Sequence, residues 1–384
     1  MNQYPRKITA QQWCHTARQD NAVHSLLIID ALNASFYGGQ SPDKLGGKDL
    51  NTFSVGFHTD GAFPAYCDKL FLSFFENALY DYTYHTVYID LPDRLNDAQT
   101  YRDGICAMLD LLSRYQPQAK LVWVDSGDES AIGRALIQER GGRYLDMRGK
   151  ALEDLNKEAA LIAAETVAQH KEYREGALTA DQLAQYKEPM YWCIHDMADY
   201  KNGDTRPRVL LIGDSICFGY YRPTRALLEK DFIVDTYAMS FAPADPCVLR
   251  NLMPILRAHH YDAIHINVGM HQCPSDTCEG GYEKAVCELL SGIRSASPET
   301  RICFATTTTI MKQDNLNEFD DQTFGWVTNR NQAACRVCAE MGLPMDDLFT
   351  LCVEKKPEKA DTHHFKDSTL LARQVADSVK SLFA

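Results

Sequence analysis

The stretch from Arg208 to Tyr221, RVLLIGDSICFGYY, constrains this chain most. Val209, Leu210, Leu211 and Ile212 make an apolar run too short for a buried helix and right for a strand covered on both faces. The run stops at Gly213, and a helical pattern is expected from about Thr224. Strand, tight glycine turn and helix put Asp214 and Ser215 at the carboxyl end of the strand, the edge where open parallel sheets gather their ligands. A serine there lies near the N–H groups that open the next helix, which suit a developing negative charge. Taken alone, an Asp and a Ser at such a place are also an ordinary helix cap.

The far end of the chain adds to this. Asp361, Thr362, His363 and His364 precede an amphipathic pattern with Leu371, Val375, Val379 and Phe383 on one face. An Asp three residues before a His, in a loop entering the last helix, holds an imidazole by one ring nitrogen and leaves the other free as a base. A serine early and an Asp-x-x-His late in one α/β domain thus make a nucleophile, an orienter and a base. His363 competes with His364 for the last role.

Gly213-Asp214-Ser215 and Asp361-x-x-His364 resemble the first and last sequence blocks of the SGNH (GDSL-like) hydrolase family, over roughly residues 205–384. The third block of that family reads Gly-x-Asn-Asp after a buried strand. Here the run from Ala263 through Gly269 puts His271 in the place of that Asn and Gln272 in the place of its Asp. This Asn-x-Gly-x-His variant is similar to that of carbohydrate-active relatives. The second block brings a glycine N–H to the oxyanion, whereas residues 236–243 hold no glycine and Ser240 is the candidate in its stead. The resemblance implies Ser215 as nucleophile, Asp361 as orienter and, by the family's spacing, His364 as base. It implies an oxyanion hole drawn from Ser215, Ser240 and Gly269 with a side chain of Asn267 or His271, and Asp214 in support. The activity implied is a serine esterase on small, acetyl-type acyl esters of a carbohydrate or other small molecule, with no cofactor and no metal. A non-catalytic protein that binds a carbohydrate or a partner in the same cleft is the alternative.

At 384 residues the chain exceeds what one core usually covers, so two domains are expected. Its 45% hydrophobic and 24% charged content is that of a globular protein. A formal net charge of −13 argues against nucleic acid or an anionic membrane as partner. No stretch approaches the length of a membrane span, and Met1 to Asp20 contain no apolar signal core, so a cytoplasmic location is expected. The thirteen Cys are odd in number and scattered, unlike a secreted disulfide framework. Cys335 and Cys338 are expected as buried helix thiols, and Cys273 and Cys278 as free thiols. Nothing in the sequence speaks to oligomeric state.

Read in order, a short helix is expected from Ala10 to Arg18, a strand from His24 to Asp30, a long loop over 38–64 and an apolar helix from Tyr66 to Tyr80. The segment from Asp30 to Tyr37 echoes that from Asp214 to Tyr221 at an offset of 184, with Ala31 on Ser215. Tyr101, Cys106, Leu109 and Pro117 fall on Tyr282, Cys287, Leu290 and Pro298 at an offset of 181. These echoes predict two copies of one domain, the first without a nucleophile. Residues 149–186 read as a solvated helical stretch bracing the halves, and 202–207 as the boundary. The expectation is therefore two flavodoxin-like, doubly wound three-layer α/β/α sheets of order 2-1-3-4-5: a degenerate domain over 1–200 and an SGNH-like one over 205–384. In the second, 306–325 is expected as a substrate loop, with a helix from Asn331 to Met341 beyond it.

Overall fold

The computed structural model describes residues 9–14, 23–30, 33–38, 44–56, 69–80, 82–93, 98–127, 129–166, 191–198, 203–271 and 281–384. Ala31, Gln272, Cys273 and Cys278 lie outside these residues. The chain forms two compact units, Arg6–Trp192 and, for the described remainder, Cys193–Ala384.

In the first unit, strands β1 (Thr9–Cys14), β2 (Val23–Asp30), β3 (Lys44–Leu45), β4 (Lys48–Gly56), β5 (Thr83–Asp90), β6 (Lys120–Asp125) and β7 (Arg143–Asp146) are described. They run in the order β1-β4-β2-β5-β6-β7, with β1 antiparallel to β4 and the remaining pairs parallel; β3 makes a hairpin with β4. Helices Lys69–Tyr80, Ala98–Tyr115, Ala131–Glu139 and Leu152–Thr166 accompany the sheet.

Three expectations fail here. Residues from Thr9 form a strand, because their backbone pairs with β4 across six registered positions and that ladder outweighs a local helical pattern. The expected loop over 38–64 contains β4. Its polar residues misled, yet Asn51, Thr52 and Ser54 are buried, and the Asn51 amide donates to Tyr84 Oη at 3.1 Å. Of the expected stretch 149–186, residues 167–186 lie outside the described ones, and the described part is not a merely solvated helix. Helix Leu152–Thr166 buries Leu155, Ala159 and Ile162 in one cluster with Leu27, Ile29, Tyr88 and Val122 of the sheet.

In the second unit, strands β8 (Tyr191–Asp196), β9 (Arg208–Gly213), β10 (Ile233–Met239), β11 (Ala263–Asn267), β12 (Arg301–Ala305) and β13 (Met345–Asp346) run in the order β8-β10-β9-β11-β12-β13. The last five are parallel and have the expected order 2-1-3-4-5. The antiparallel strand β8 is an addition: Cys193 to Asp196 pair with β10, so the unit begins before the expected boundary at 202–207. Both units thus show one strand order, antiparallel strand included.

All four apolar residues of β9 are fully buried, as a strand covered on both faces requires. Val209 and Leu211 pack in one cluster with Ile216, Tyr220 and Leu228 of helix Ser215–Leu228 and with Leu371, Val375 and Val379 of helix Thr369–Ser381. The first of these helices begins at Ser215, nine residues before the expected start. The helix before Met341 begins at Asp321, where the Asp320 carboxylate accepts from Thr323 N at 2.8 Å and caps it. Cys338 of that helix is buried as expected, but Cys335 is exposed.

Candidate active site

At Gly213 the chain leaves β9 beside the end of β11, and a side chain has no room. A Cβ there would lie 2.3 Å from Cys217 Cβ and 2.7 Å from the Asn267 carbonyl oxygen. The glycine lets the helix start directly on the strand end, and Asp214 locks that turn. Its Oδ1 accepts from Ile216 N at 2.9 Å, capping the helix, and its Oδ2 accepts from Met270 N at 3.3 Å. Burial pushes this carboxyl up, while the nearby His271 and the two N–H donors oppose the shift.

Ser215 is then the first residue of the helix, half-buried at the carboxyl edge of the parallel strands. Its Oγ lies 2.8 Å from His364 Nε2, and His364 Nδ1 lies 2.7 Å from Asp361 Oδ2. The other carboxylate oxygen, Asp361 Oδ1, accepts from His363 N and His364 N, each at 2.8 Å. Desolvation acts to raise the Asp361 carboxyl, but these donors and the imidazole outweigh it and hold it well below the usual carboxylate range. The structure thus brings together Ser215, His364 and Asp361, three residues separated by up to 149 positions in the chain.

His363 takes no part in that chain. Its Nδ1 is 2.7 Å from Thr362 Oγ1, and burial first, then the neighbouring His364, push it below the ordinary histidine range. Nor does Cys217 compete as a nucleophile, since burial raises its thiol far above neutral pH.

The candidate oxyanion residues divide. Asn267 is buried at the end of β11, and its Nδ2 donates to the Thr306 carbonyl at 3.1 Å, which commits it to the interior. His271 lies near enough to Asp214 and His363 to act on the charge of both. Ser240 is buried just beyond β10. Gly269 has φ +150°, and a Cβ there would lie 2.8 Å from Tyr282 Oη, so the turn after β11 needs a glycine.

Two participants in this geometry carried no sequence signal. Lys359 is buried beneath the loop of residues 361–364, and its Nζ donates to the carbonyls of Thr309 at 2.8 Å and His363 at 2.7 Å. Arg330 is buried against the turn after β11. Neither belongs to a motif, and only long-range contacts give each its place. Among the described residues no cluster of His, Cys, Asp or Glu is arranged to hold a metal ion, and no helix is long and apolar enough to cross a membrane.

No protein-family model matches the chain, and no curated protein matches it in sequence. Solved structures do. An aryl esterase from M. smegmatis is 16% identical, the match covering 46% of this chain and 99% of that one with a TM-score of 0.34. A lipase/acylhydrolase from Enterococcus faecalis is 16% identical over 46% of this chain and 96% of its own, with a TM-score of 0.37. A carbohydrate acetylesterase from Sinorhizobium meliloti is 14% identical over 46% of this chain and all of its own, with a TM-score of 0.34.

Proposed function

We propose that the second unit is a serine esterase that hydrolyses small acyl esters, acetyl-type and carried on a carbohydrate. The observation that carries the reading is the unbroken path from Ser215 Oγ through both nitrogens of His364 to Asp361, at 2.8 and 2.7 Å. Ser215 Oγ attacks the ester carbonyl carbon and passes its proton to His364 Nε2. Asp361, ionised and exposed to both backbone donors, steadies the imidazolium and fixes which nitrogen faces the serine. Collapse of the tetrahedral intermediate expels the alkoxide, which takes the proton from His364. A water then attacks the acyl-serine with His364 again as base, and the carboxylic acid leaves.

The oxyanion is met by the Ser215 N–H, one of the helix-opening N–H groups with no partner in the helix, by a backbone N–H near Ser240, and by His271. Of the two side chains considered we favour His271, since Asn267 already spends one of its two amide protons on the Thr306 carbonyl. The His364 and Asp361 side chains are 46% and 55% exposed, which supports a site open to a bulky polar alcohol rather than one enclosed around a long acyl chain. The carbohydrate part of the reading rests on the resemblance of the third block. The test is reaction of the full chain with a labelled fluorophosphonate and with p-nitrophenyl acetate. Both should occur, and both should be lost in Ser215→Ala; absence of labelling in the unaltered protein would leave a binding cleft without catalysis.

For the first unit we propose a copy of the second that lacks the nucleophile. The shared strand order supports this, and so does one repeated hydrogen bond. Tyr101 Oη donates to the carbonyl of Leu91, the residue after β5, at 2.6 Å, and Tyr282 Oη donates to that of Val268, the residue after β11, at 2.9 Å. Where the second unit has Asn267, the first has Asp90, which accepts from Asn33 Nδ2 and Tyr37 Oη, each at 2.8 Å, and from Ser126. With Ser215→Ala in place, a fluorophosphonate should label nothing in the first unit; a labelled serine there would overturn the reading.

A further inference from the structure

We propose that Arg330 is a positioning residue of this site, one that sets the peptide planes of residues 268–271 against the nucleophile turn; the inference rests on the esterase reading above. Arg330 projects from helix Asp321–Met341 and is 3% exposed. Its Nη1 donates to the carbonyl of Gly269 at 2.5 Å and to that of His271 at 2.6 Å. The guanidinium lies over two aromatic rings, with its carbon 3.7 Å from the centre of Trp326 and 4.9 Å from that of Tyr282. Stacking of this kind holds a guanidinium plane in one orientation, which a lysine cannot match.

The consequence follows from peptide geometry. Among the described residues there is no cis peptide bond, and in a trans peptide the N–H of each residue points opposite to the carbonyl of the one before. Tyr282 holds the carbonyl of Val268, and Arg330 holds those of Gly269 and His271. Three carbonyls of the turn are therefore drawn toward the helices, and the N–H groups of Gly269 and Met270 are turned the other way. Met270 N then meets Asp214 Oδ2, the carboxylate that also caps the helix of Ser215. One buried cation thereby links the turn that carries His271 to the turn that carries the nucleophile.

The experiment compares the full-length protein with Arg330→Ala and Arg330→Lys. In Arg330→Ala, kcat for p-nitrophenyl acetate should fall by about tenfold to a hundredfold, the scale set by small misplacements of reacting groups, while KM changes little. Guanidinium ion at low millimolar concentration, entering the gap beside Trp326 and Tyr282, should restore part of that kcat. Arg330→Lys, which keeps the charge but not the planar fork, should lie between the two and serves if the alanine variant does not fold. Hydrogen exchange at the Met270 amide should speed up in both variants. A kcat within twofold of the unaltered protein, or a loss that guanidinium does not touch with Met270 exchange unchanged, would overturn the proposal. If the unaltered protein hydrolyses no ester, the esterase reading fails while Met270 exchange still decides whether Arg330 sets the turn.

Discussion

Gly213→Ala is the most direct probe of how β9 delivers Ser215. The added Cβ would sit 2.3 Å from Cys217 Cβ, 2.7 Å from Asn267 O and 3.1 Å from Cys217 Sγ. Carbon atoms in ordinary contact lie about 3.5–4.0 Å apart, so the first overlap exceeds about 1 Å. Only the Sγ can rotate away; the other two atoms are a Cβ fixed to the helix backbone and a main-chain oxygen of β11. Overpacking of this kind costs about 1–3 kcal/mol, and with two immovable neighbours the upper end applies. For a unit of this size that is a fall in Tm of about 6–12 °C. Relief of the overlap moves the start of the helix by about 1 Å relative to His364, against a Ser215–His364 distance of 2.8 Å, and a misplacement of that size costs about a hundredfold in rate. Gly325→Ala is the control. Gly325 lies within helix Asp321–Met341, a Cβ there meets nothing within 4 Å, and the change should stabilise by about 1 kcal/mol with no effect on rate. Thermal melts followed by circular dichroism and kcat for p-nitrophenyl acetate read both variants. A Gly213→Ala protein with unaltered Tm and kcat would refute the packing argument.

Asp361→Asn should keep the loop geometry and lower kcat by on the order of a thousandfold or more, because an amide cannot stabilise the imidazolium; steady-state kinetics at saturating ester decide it, and a loss below tenfold counts against the role. Ser215→Ala, His364→Ala and the double variant should all be about equally inactive, since the three residues act as a unit, and additive losses in the double variant would argue for separate roles. In an acyl series, kcat/KM should be highest for acetyl and propionyl and lower for octanoyl; a steady rise with chain length would point to an apolar acyl channel instead. Lys359 gives a pH signature. Desolvation pushes its ammonium down to about 8, whereas the unfolded chain holds that proton until about pH 10.4. Between those values the unfolded state binds more protons, so stability should rise with pH, by up to about 3 kcal/mol. Lys359→Met should flatten that rise in urea unfolding at pH 8 and pH 10, and an unchanged slope would refute the assignment.

Much of the second unit was legible in the sequence because its signals are local. A short apolar run read as a buried strand, Gly-Asp-Ser marked the strand end, and Asp361 and His364 stand at a spacing that a single loop turn bridges. The strand order followed from rules of chain connection that need no contacts. The failures share one cause, which is that distant partners outweighed local pattern. Thr9 to Cys14 became a strand only because β4 offered a ladder, and β4 itself, polar in sequence, is held by burial between β1 and β2. That Asn267 donates to the Thr306 carbonyl, 39 residues away, also lay beyond the sequence. Arg330 and Lys359 stand in no sequence motif, and only folding buries them against carbonyls 61 and 50 residues distant. Sequence by itself determined which residues are candidates for the chemistry, because reactive groups and their turn glycines are identities of single positions. Only the tertiary structure decided how those residues are aimed, because a hydrogen bond's direction depends on which backbone groups the packed helices leave facing the site.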